Sequence, residues 1–365
     1  MAREDRWEAL ARCFRHFAVE QARGRSPLYG RLADDISGRP EVASVLLEAP
    51  PDQRRPTLLF AAVHDLLLGG VEHPLASYYP SVGGRREPDE ALLLIFHDFC
   101  AAHDAVLRSM VSTRRTQTNE VRRSAALLPA LQHAAQDAGA PFALVEIGTS
   151  AGLNLLMDRF AYRYDARRVG PPEAMVVIDT HLRSGRSPPI LDSALPAERR
   201  IGVDLHPLDV RLPADARWLR ACVWPDDLDR LRLLDAAVGL ARRHPPELVA
   251  GHALQALPDV AERLPDGLEL CVFHSSTLAY FSGEERRRFI ELLRSLSHAR
   301  SLWWISLEAP FIEPFDRQAP SAFEDEVEGL SYLVALSRLE DGRRVSDQLL
   351  GRSDPHGKWL EWIVA

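Results

Sequence analysis

Leu144-Val-Glu-Ile-Gly-Thr-Ser-Ala-Gly-Leu-Asn-Leu-Leu156 decides how this chain is read. An apolar run carries Glu146 near its end, small residues follow at Gly148, Ser150, Ala151 and Gly152, and an amphipathic stretch begins. That order predicts a strand, a tight turn and the N-terminus of a helix reaching to about Tyr162. Glycines let a backbone approach a ligand closely, and the first helical turn offers unpaired N–H groups to it. Glu146 would repel a phosphate and suits an ammonium or hydroxyl groups. The plainer reading is a βα turn of some other doubly wound domain, with Gly152 present only for close packing.

Downstream of Pro141, short apolar runs alternate with helical stretches, the pattern of a parallel sheet with crossovers. Strands are expected at Phe142–Ile147, Arg200–Asp204, Leu248–Gly251, Leu268–Phe273 and Ser301–Leu307, with helices over Asp215–Arg243 (broken at Trp224-Pro225) and Ser282–Leu296. Met175–Thr180 and the Pro-rich Ser187–Pro196 read as an inserted excursion, a hairpin in one reading. Tyr332–Leu339 and Val345–Leu350 flank Asp341-Gly342 and read as an antiparallel hairpin. Upstream, Trp7–Gln21, Pro27–Leu47, Thr57–Leu68, Ala91–Arg114 and Glu120–Ala138 show apolar residues at three- and four-residue spacing. Residues 1–138 therefore read as a helical region and 139–365 as an α/β domain.

The chain has 365 residues, 46% of them hydrophobic, enough to fill a core and to exclude global disorder. Its formal net charge of −8 lacks the global basic excess of nucleic-acid binders. The charged N-terminus and the absence of a long apolar run predict a soluble, cytoplasmic protein with no membrane partner. Cys13, Cys100, Cys222 and Cys271 are scattered, so neither a CxxC metal site nor a disulfide framework is expected. His97 and His103 lie six apart and miss the spacing of a helical metal pair, and no metal site is expected.

The pattern Glu146-x-Gly148-x-Ser150-x-Gly152 resembles the first motif of class I S-adenosylmethionine (SAM) dependent methyltransferases. Five βα units closed by a C-terminal antiparallel hairpin resemble the topology of that class, over roughly residues 140–365. The resemblance implies a Rossmann-like methyltransferase-type sheet and a cofactor site of Glu146, Gly148, Thr149, Ser150, Gly152, Asn154, Asp204, His252 and Ala253. In it the turn holds the methionine end of SAM and Asp204 accepts both ribose hydroxyls. Asp179, closing Val176-Val-Ile-Asp, competes with Asp204 for that role. Where the class commonly places an acid for the adenine amino group, this chain has His252. The whole chain also resembles a bacterial family of uncharacterised domains, through Ser26-Pro-Leu-Tyr29, Ala62-Val-His-Asp65, Gln117-Thr-Asn-Glu120, Ser150-Ala-Gly-Leu-Asn154, Gly202-Val-Asp-Leu-His-Pro207 and Val272-Phe-His-Ser275.

His274, Tyr280 and Glu120 are the candidate catalytic residues. His274 follows the fourth parallel strand and suits a general base at neutral pH; as a plain alternative it caps or supports a neighbour. Arg114, Arg115, Gln117, Asn119, Arg123 and Ser275 are candidate substrate-binding residues, with the arginines suited to a carboxylate, sulfate or phosphate ester. A cap and a solvated helix face explain the Gln117–Arg123 cluster equally well. Trp303-Trp304 read as core, and Glu284–Arg288 as a solvated face.

The expected function is methyl transfer from SAM to an oxygen or nitrogen of a small molecule, as in secondary metabolism, with the helical region as lid. A second reading keeps the fold without SAM and runs another displacement, such as amine cyclisation with loss of sulfate or phosphate. A third is a non-catalytic binding or assembly module. The sequence leaves open a homodimer or a partner chain.

Overall fold

The computed structural model describes residues 3–183, 186–189, 195–312 and 331–364. The chain forms two compact units: Met1–Thr118 with Arg211–Asp235, and Asn119–Val210 with Ala236–Ala365. The expected division at 138/139 differs from this in two ways. The helix α6 (Ser124–Asp137) belongs to the second unit, and the stretch after the second parallel strand returns to the first.

The second unit is built on a mixed sheet. Its strands are β1 (Phe142–Ile147), β2 (Ala161–Tyr164), β3 (Arg167–Val169), β4 (Val177–Leu182), β5 (Ala197–Asp204), β6 (Glu247–Ala250), β7 (Glu269–Ser275), β8 (Leu302–Glu308), β9 (Tyr332–Glu340), β10 (Arg343–Ser353) and β11 (Trp359–Trp362). Among the described residues their order is β3-β2-β4-β11-β10-β9-β8-β7-β1-β5-β6. The five strands β6-β5-β1-β7-β8 are mutually parallel. Every residue of β1 and β8 is buried, as expected of strands covered on both faces. The helices α9 (Ala253–Glu262) and α10 (Gly283–Leu296) share one core with them through Leu257, Val260, Phe289 and Leu293. Trp304 lies in that core, and Trp303 is equally buried, as the sequence predicted.

β9 runs antiparallel to β8, and β10 antiparallel to β9. Asp341 and Gly342 both adopt positive φ (49° and 74°), the requirement of the two-residue turn that lets a hairpin follow the twist of its strands. β11, which the sequence pattern missed, pairs with β10 and carries the sheet on to β4. The excursion after β1 is not a helix followed by one hairpin. A 3-10 helix spans Leu153–Arg159, β2 and β3 form the hairpin, and β4 lies parallel to β2. Residues 190–194 of the Pro-rich segment lie outside the described residues. The expected helix fails because Leu156 has non-helical backbone angles and Arg200, on β5, draws the Leu155 carbonyl (2.6 Å) and the Asp158 carboxylate (2.8 Å) to itself.

The first unit is helical. It comprises α1 (Arg3–His16), α2 (Pro27–Ser37), α3 (Pro56–Leu68), α4 (Leu92–Ala102), α5 (Asp104–Thr113) and α7 (Pro213–Ala221), with a π-helical turn at Phe17–Ala22 and several 3-10 segments; α8 (Leu228–Arg243) lies on the connection from β5 to β6. Ser26 caps α2 by accepting from the Tyr29 amide (3.1 Å), donates to Asp226 (2.7 Å), and precedes Pro27 at the first helical position. Tyr29 stacks on Phe60 at 4.5 Å between centroids. His64, fully buried on α3, bonds the Ala221 carbonyl (3.1 Å) and Ser81 (2.7 Å), and the adjacent Asp65 pairs with Arg217 (3.1 Å).

Burial pushes the His64 imidazole down from 6.5 to about 4. Between those values the unfolded chain binds a proton that the folded chain refuses, so stability falls as pH drops through that window. Urea titrations stepped from pH 7 to pH 4 are expected to show a loss of up to roughly 3 kcal/mol from this group, at about 1.4 kcal/mol per pH unit. His64→Gln should start from lower stability and lose this share of the slope. An unchanged slope would mean that His64 accepts the proton while folded.

Candidate functional site

In the parallel core the strands fan out on either side of β1 and β7. β1 connects onward to β5 on one flank, and β7 to β8 on the other. The carboxyl ends at such a switch point are where doubly wound sheets leave a crevice. Four strand ends meet here: Ile147 of β1, Asp204 of β5, Ser275 of β7 and Glu308 of β8. Ile147 is in register with Val203 and with His274.

The turn after β1 is built from glycine and short polar residues because its backbone requires them. Gly148 and Gly152 both have φ of 72°, and Ser150 has φ of 55°. A Cβ at Gly148 would stand 2.3 Å from Thr277 Oγ1, and one at Gly152 would stand 2.6 Å from Pro246 Cγ. Six consecutive amides of this turn are bound within the chain. Gly148 and Thr149 donate to the Val203 carbonyl (2.8 and 3.3 Å), Ser150 to Asp204 Oδ2 (2.8 Å), and Gly152 to the Thr149 carbonyl (2.9 Å). Ala151 and Leu153 both donate to Asn119 Oδ1 (3.3 Å each). Thr149, Ser150, Ala151, Gly152 and Leu153 are buried, and Gly148 alone of the turn is exposed. The expectation that these amides face an open crevice is therefore corrected. The amides are taken up by the Val203 and Thr149 carbonyls and by the Asp204 and Asn119 side chains.

Glu146 lies under the turn, 3% exposed. Thr149 Oγ1 donates to its Oε2 (2.6 Å) and Asn154 Nδ2 to its Oε1 (3.5 Å), while Ser124 Oγ donates to Asn154 Oδ1 (2.9 Å). Burial pushes its carboxyl up to about 8, against the two side-chain hydrogen bonds; the Asp204 charge adds to the rise and Arg123 opposes it. Buried beneath packed side chains, with Oε2 bonded by Thr149 and Oε1 by Asn154, Glu146 does not present its carboxyl to a ligand ammonium, so that part of the sequence reading falls. Asp204, half-buried, accepts the Ser150 amide at one oxygen and the His206 amide (2.9 Å) at the other. Each oxygen keeps lone-pair capacity for a further donor. Asp179 is on β4, two-thirds exposed, and paired with Arg163 (2.5 and 2.9 Å), so it stands apart from the switch point.

Two further expectations are corrected. His274, expected as a general base, is fully buried with both ring nitrogens engaged. Nε2 accepts from Trp304 Nε1 (2.9 Å), so Nδ1 carries the proton that it donates to Glu308 Oε1 (2.9 Å). The same carboxylate oxygen accepts the Thr277 and Leu278 amides (2.7 and 2.9 Å). His274 thus shapes the end of β7 and has no nitrogen free for a substrate proton. His252, expected at an adenine, caps α9: Nδ1 accepts the Leu254 amide (3.3 Å), Nε2 lies 3.4 Å from Glu285, and the ring stacks on Phe281. Ala253 is buried as the first residue of that helix. Tyr280, at the end of a 3-10 turn, is 72% exposed.

Of the substrate candidates, Arg114, Arg115 and Gln117 belong to the first unit. There Arg114 pairs with Asp215 (3.1 Å), and the Arg115 carbonyl accepts from Trp218 (2.9 Å). Asn119, Glu120, Arg123 and Ser275 come together in the second unit. Glu120, 1% exposed, accepts the Arg122 amide at Oε1 (3.2 Å) and faces His356 Nδ1 at Oε2 (3.2 Å). Arg123, 8% exposed, donates from Nε to the Pro355 carbonyl (2.8 Å) and from Nη1 to the Ser275 carbonyl (3.3 Å), and lies over the Tyr332 ring. Ser276 Oγ bonds the Tyr332 hydroxyl (2.9 Å).

His356 is the residue that sequence reasoning missed. It sits in Ser353-Asp-Pro-His-Gly357, a loop between β10 and β11. A histidine between Pro and Gly in a turn was the available signal. The loop is held by Asp354 Oδ1, which accepts the His356 amide (2.8 Å), and by the close approach of Gly357, where a Cβ would stand 2.3 Å from the Arg122 carbonyl. Among the described residues no metal-binding cluster of His, Cys, Asp or Glu occurs, and no helix is long and apolar enough to cross a membrane.

Fold and site define a mixed α/β protein with a polar cluster at the switch point of its parallel strands. The chain belongs to the family described as uncharacterized protein conserved in bacteria (DUF2332), whose sequence profile matches residues 11–362. No curated protein matches it.

Because folded Glu146 keeps a proton that the unfolded chain loses between 4.5 and about 8, this group makes stability fall as pH rises through that range. Glu146→Gln removes the effect. Its urea midpoint is expected above that of the wild type at pH 8, with the difference closing toward pH 5. A variant weakened equally at both pH values would show that the carboxyl ionises normally in the folded protein.

Proposed function

We propose that the second unit is a Rossmann-like, class I methyltransferase-type domain acting on a small molecule, with methyl transfer from SAM to an oxygen or nitrogen nucleophile as its reaction. The observation that carries this reading is Asp204 at the carboxyl end of β5, beside the glycine turn of β1. Its two oxygens are fixed by the Ser150 and His206 amides and keep capacity for two vicinal hydroxyls. Asp204 would hold the ribose hydroxyls. SAM would supply an electrophilic methyl group; the chain's part is then to orient the acceptor and take its proton.

A second reading is favoured by the closed turn. With its amides bound internally and His252 used as a cap, the site offers little to the methionine end or to adenine. The same cluster suits displacement at carbon without SAM, with an anionic leaving group such as sulfate or phosphate held by arginine.

Calorimetry separates the two. The first reading expects SAM and S-adenosylhomocysteine to bind with a Kd below roughly 1 mM, about −4 kcal/mol, and Asp204→Asn to weaken both by about tenfold or more, the loss of one charged hydrogen bond. Absence of binding by either nucleoside in that range leaves the SAM-independent reading.

A further inference from the structure

The Glu120–His356 pair has the form of an oriented proton acceptor. Glu120 is an almost wholly buried carboxylate whose Oε2 lies 3.2 Å from His356 Nδ1. A carboxylate there holds the proton on Nδ1 and leaves Nε2 with its lone pair. Among the described residues Nε2 makes no hydrogen bond, and the side chain is a third exposed. His274 makes the contrast: it has the same kind of carboxylate partner, but its Nε2 is covered by Trp304.

Beside this pair stands a buried cation held by neutral groups. Arg123 is fixed by the carbonyls of Pro355, next to His356, and of Ser275, at the end of β7. Among the described residues it has no carboxylate within ion-pair distance. Two of its five N–H groups are used, and its fork geometry matches an oxyanion. Ser275 Oγ, on the same strand end, is buried without a hydrogen-bond partner. An unpaired buried hydroxyl is unfavourable, and a ligand oxygen accepting from it would relieve that. The bond of Arg123 to the Ser275 carbonyl puts its charge at the switch point.

We propose that His356 is a catalytic base, that Glu120 is its positioning residue, and that Arg123 with Ser275 forms a subsite for an oxyanion group of the substrate. The substrate class is then a small molecule bearing a carboxylate, sulfate or phosphate near an amine or hydroxyl. The amine or hydroxyl gives its proton to Nε2, forming an imidazolium, and its electron pair makes the new bond to carbon as the bond from that carbon to the sulfate, phosphate or carboxylate oxygen breaks; the oxyanion leaves with that electron pair and is held by Arg123 and Ser275. None of this requires SAM.

The test is the rate at which diethyl pyrocarbonate acylates each histidine of the full chain, mapped by peptide mass spectrometry. An accessible, unprotonated imidazole nitrogen attacks a carbonyl of the reagent and expels ethyl carbonate. His356 is expected to react, and at least one of acetate, sulfate or phosphate at millimolar concentration should slow it saturably while exposed His244 is unaffected. Which anion protects separates a carboxylate ligand from a sulfate or phosphate ester. Ser275→Ala should weaken the protection with the reaction rate kept, and Arg123→Gln should remove it. Glu120→Gln keeps the shape and removes the charge; it should slow the reaction of His356 several-fold and leave His244 unchanged, a selectivity that a general loss of folding would not give. An unreactive His356, or one that none of the three anions protects, overturns the proposal, whatever the outcome of the SAM titration.

Discussion

The interaction on which the site depends is the closure of the turn after β1 by two side chains. Asn119 Oδ1 takes the amides of Ala151 and Leu153, and Asp204 Oδ2 takes that of Ser150. Buried amides must be paired, and a segment with only a 3-10 helix after it leaves several to be paired by something else. With the backbone satisfied from within, recognition at this sheet end passes to side chains. Asp204 has residual acceptor capacity, Arg123 has residual donors, and His356 has an open nitrogen. The turn is a scaffold for those groups, and the glycines serve its close packing against Thr277 and Pro246.

Burial divides chemically equivalent groups into covered and open ones. Glu146 and Asp204 sit on adjacent strands near the same end, yet Glu146 is pushed up to about 8 and bonded under Thr149, while Asp204 remains half-exposed. His274 and His356 each face a glutamate through Nδ1. Trp304 closes the other nitrogen of the first. The Glu308 carboxylate then acts as a clamp that fixes the end of β7, gathering His274, Thr277 and Leu278 at one oxygen. That clamp sets where the Ser275 carbonyl stands, and through it Arg123.

The parallel core was legible in the sequence because its signal is local. Phe142–Ile147 is an unbroken apolar run around one acid, and the structure has β1 at the same residues. The hairpin at Asp341-Gly342 and the buried Trp303-Trp304 were legible for the same reason: turn chemistry and strand composition are written in neighbouring residues. The helix after the turn was misread because apolar spacing cannot register Arg200, which is distant in sequence and competes for the Leu155 carbonyl. β11 was missed because four residues make too short a pattern.

For the site, the sequence determined the inventory: an acid at the end of β5, a Gly-Ser turn, and a polar run from Gln117 to Arg123. It also determined the family to which the chain belongs. Only the tertiary structure decided which of these groups meet. It withdrew His274 and His252 into a core bond and a helix cap, and brought in His356 from 236 positions beyond Glu120. The reason is physical. Residue type fixes what a side chain can donate or accept, but which partner satisfies it, and whether any lone pair or N–H is left over, depends on distances that the chain acquires only by folding.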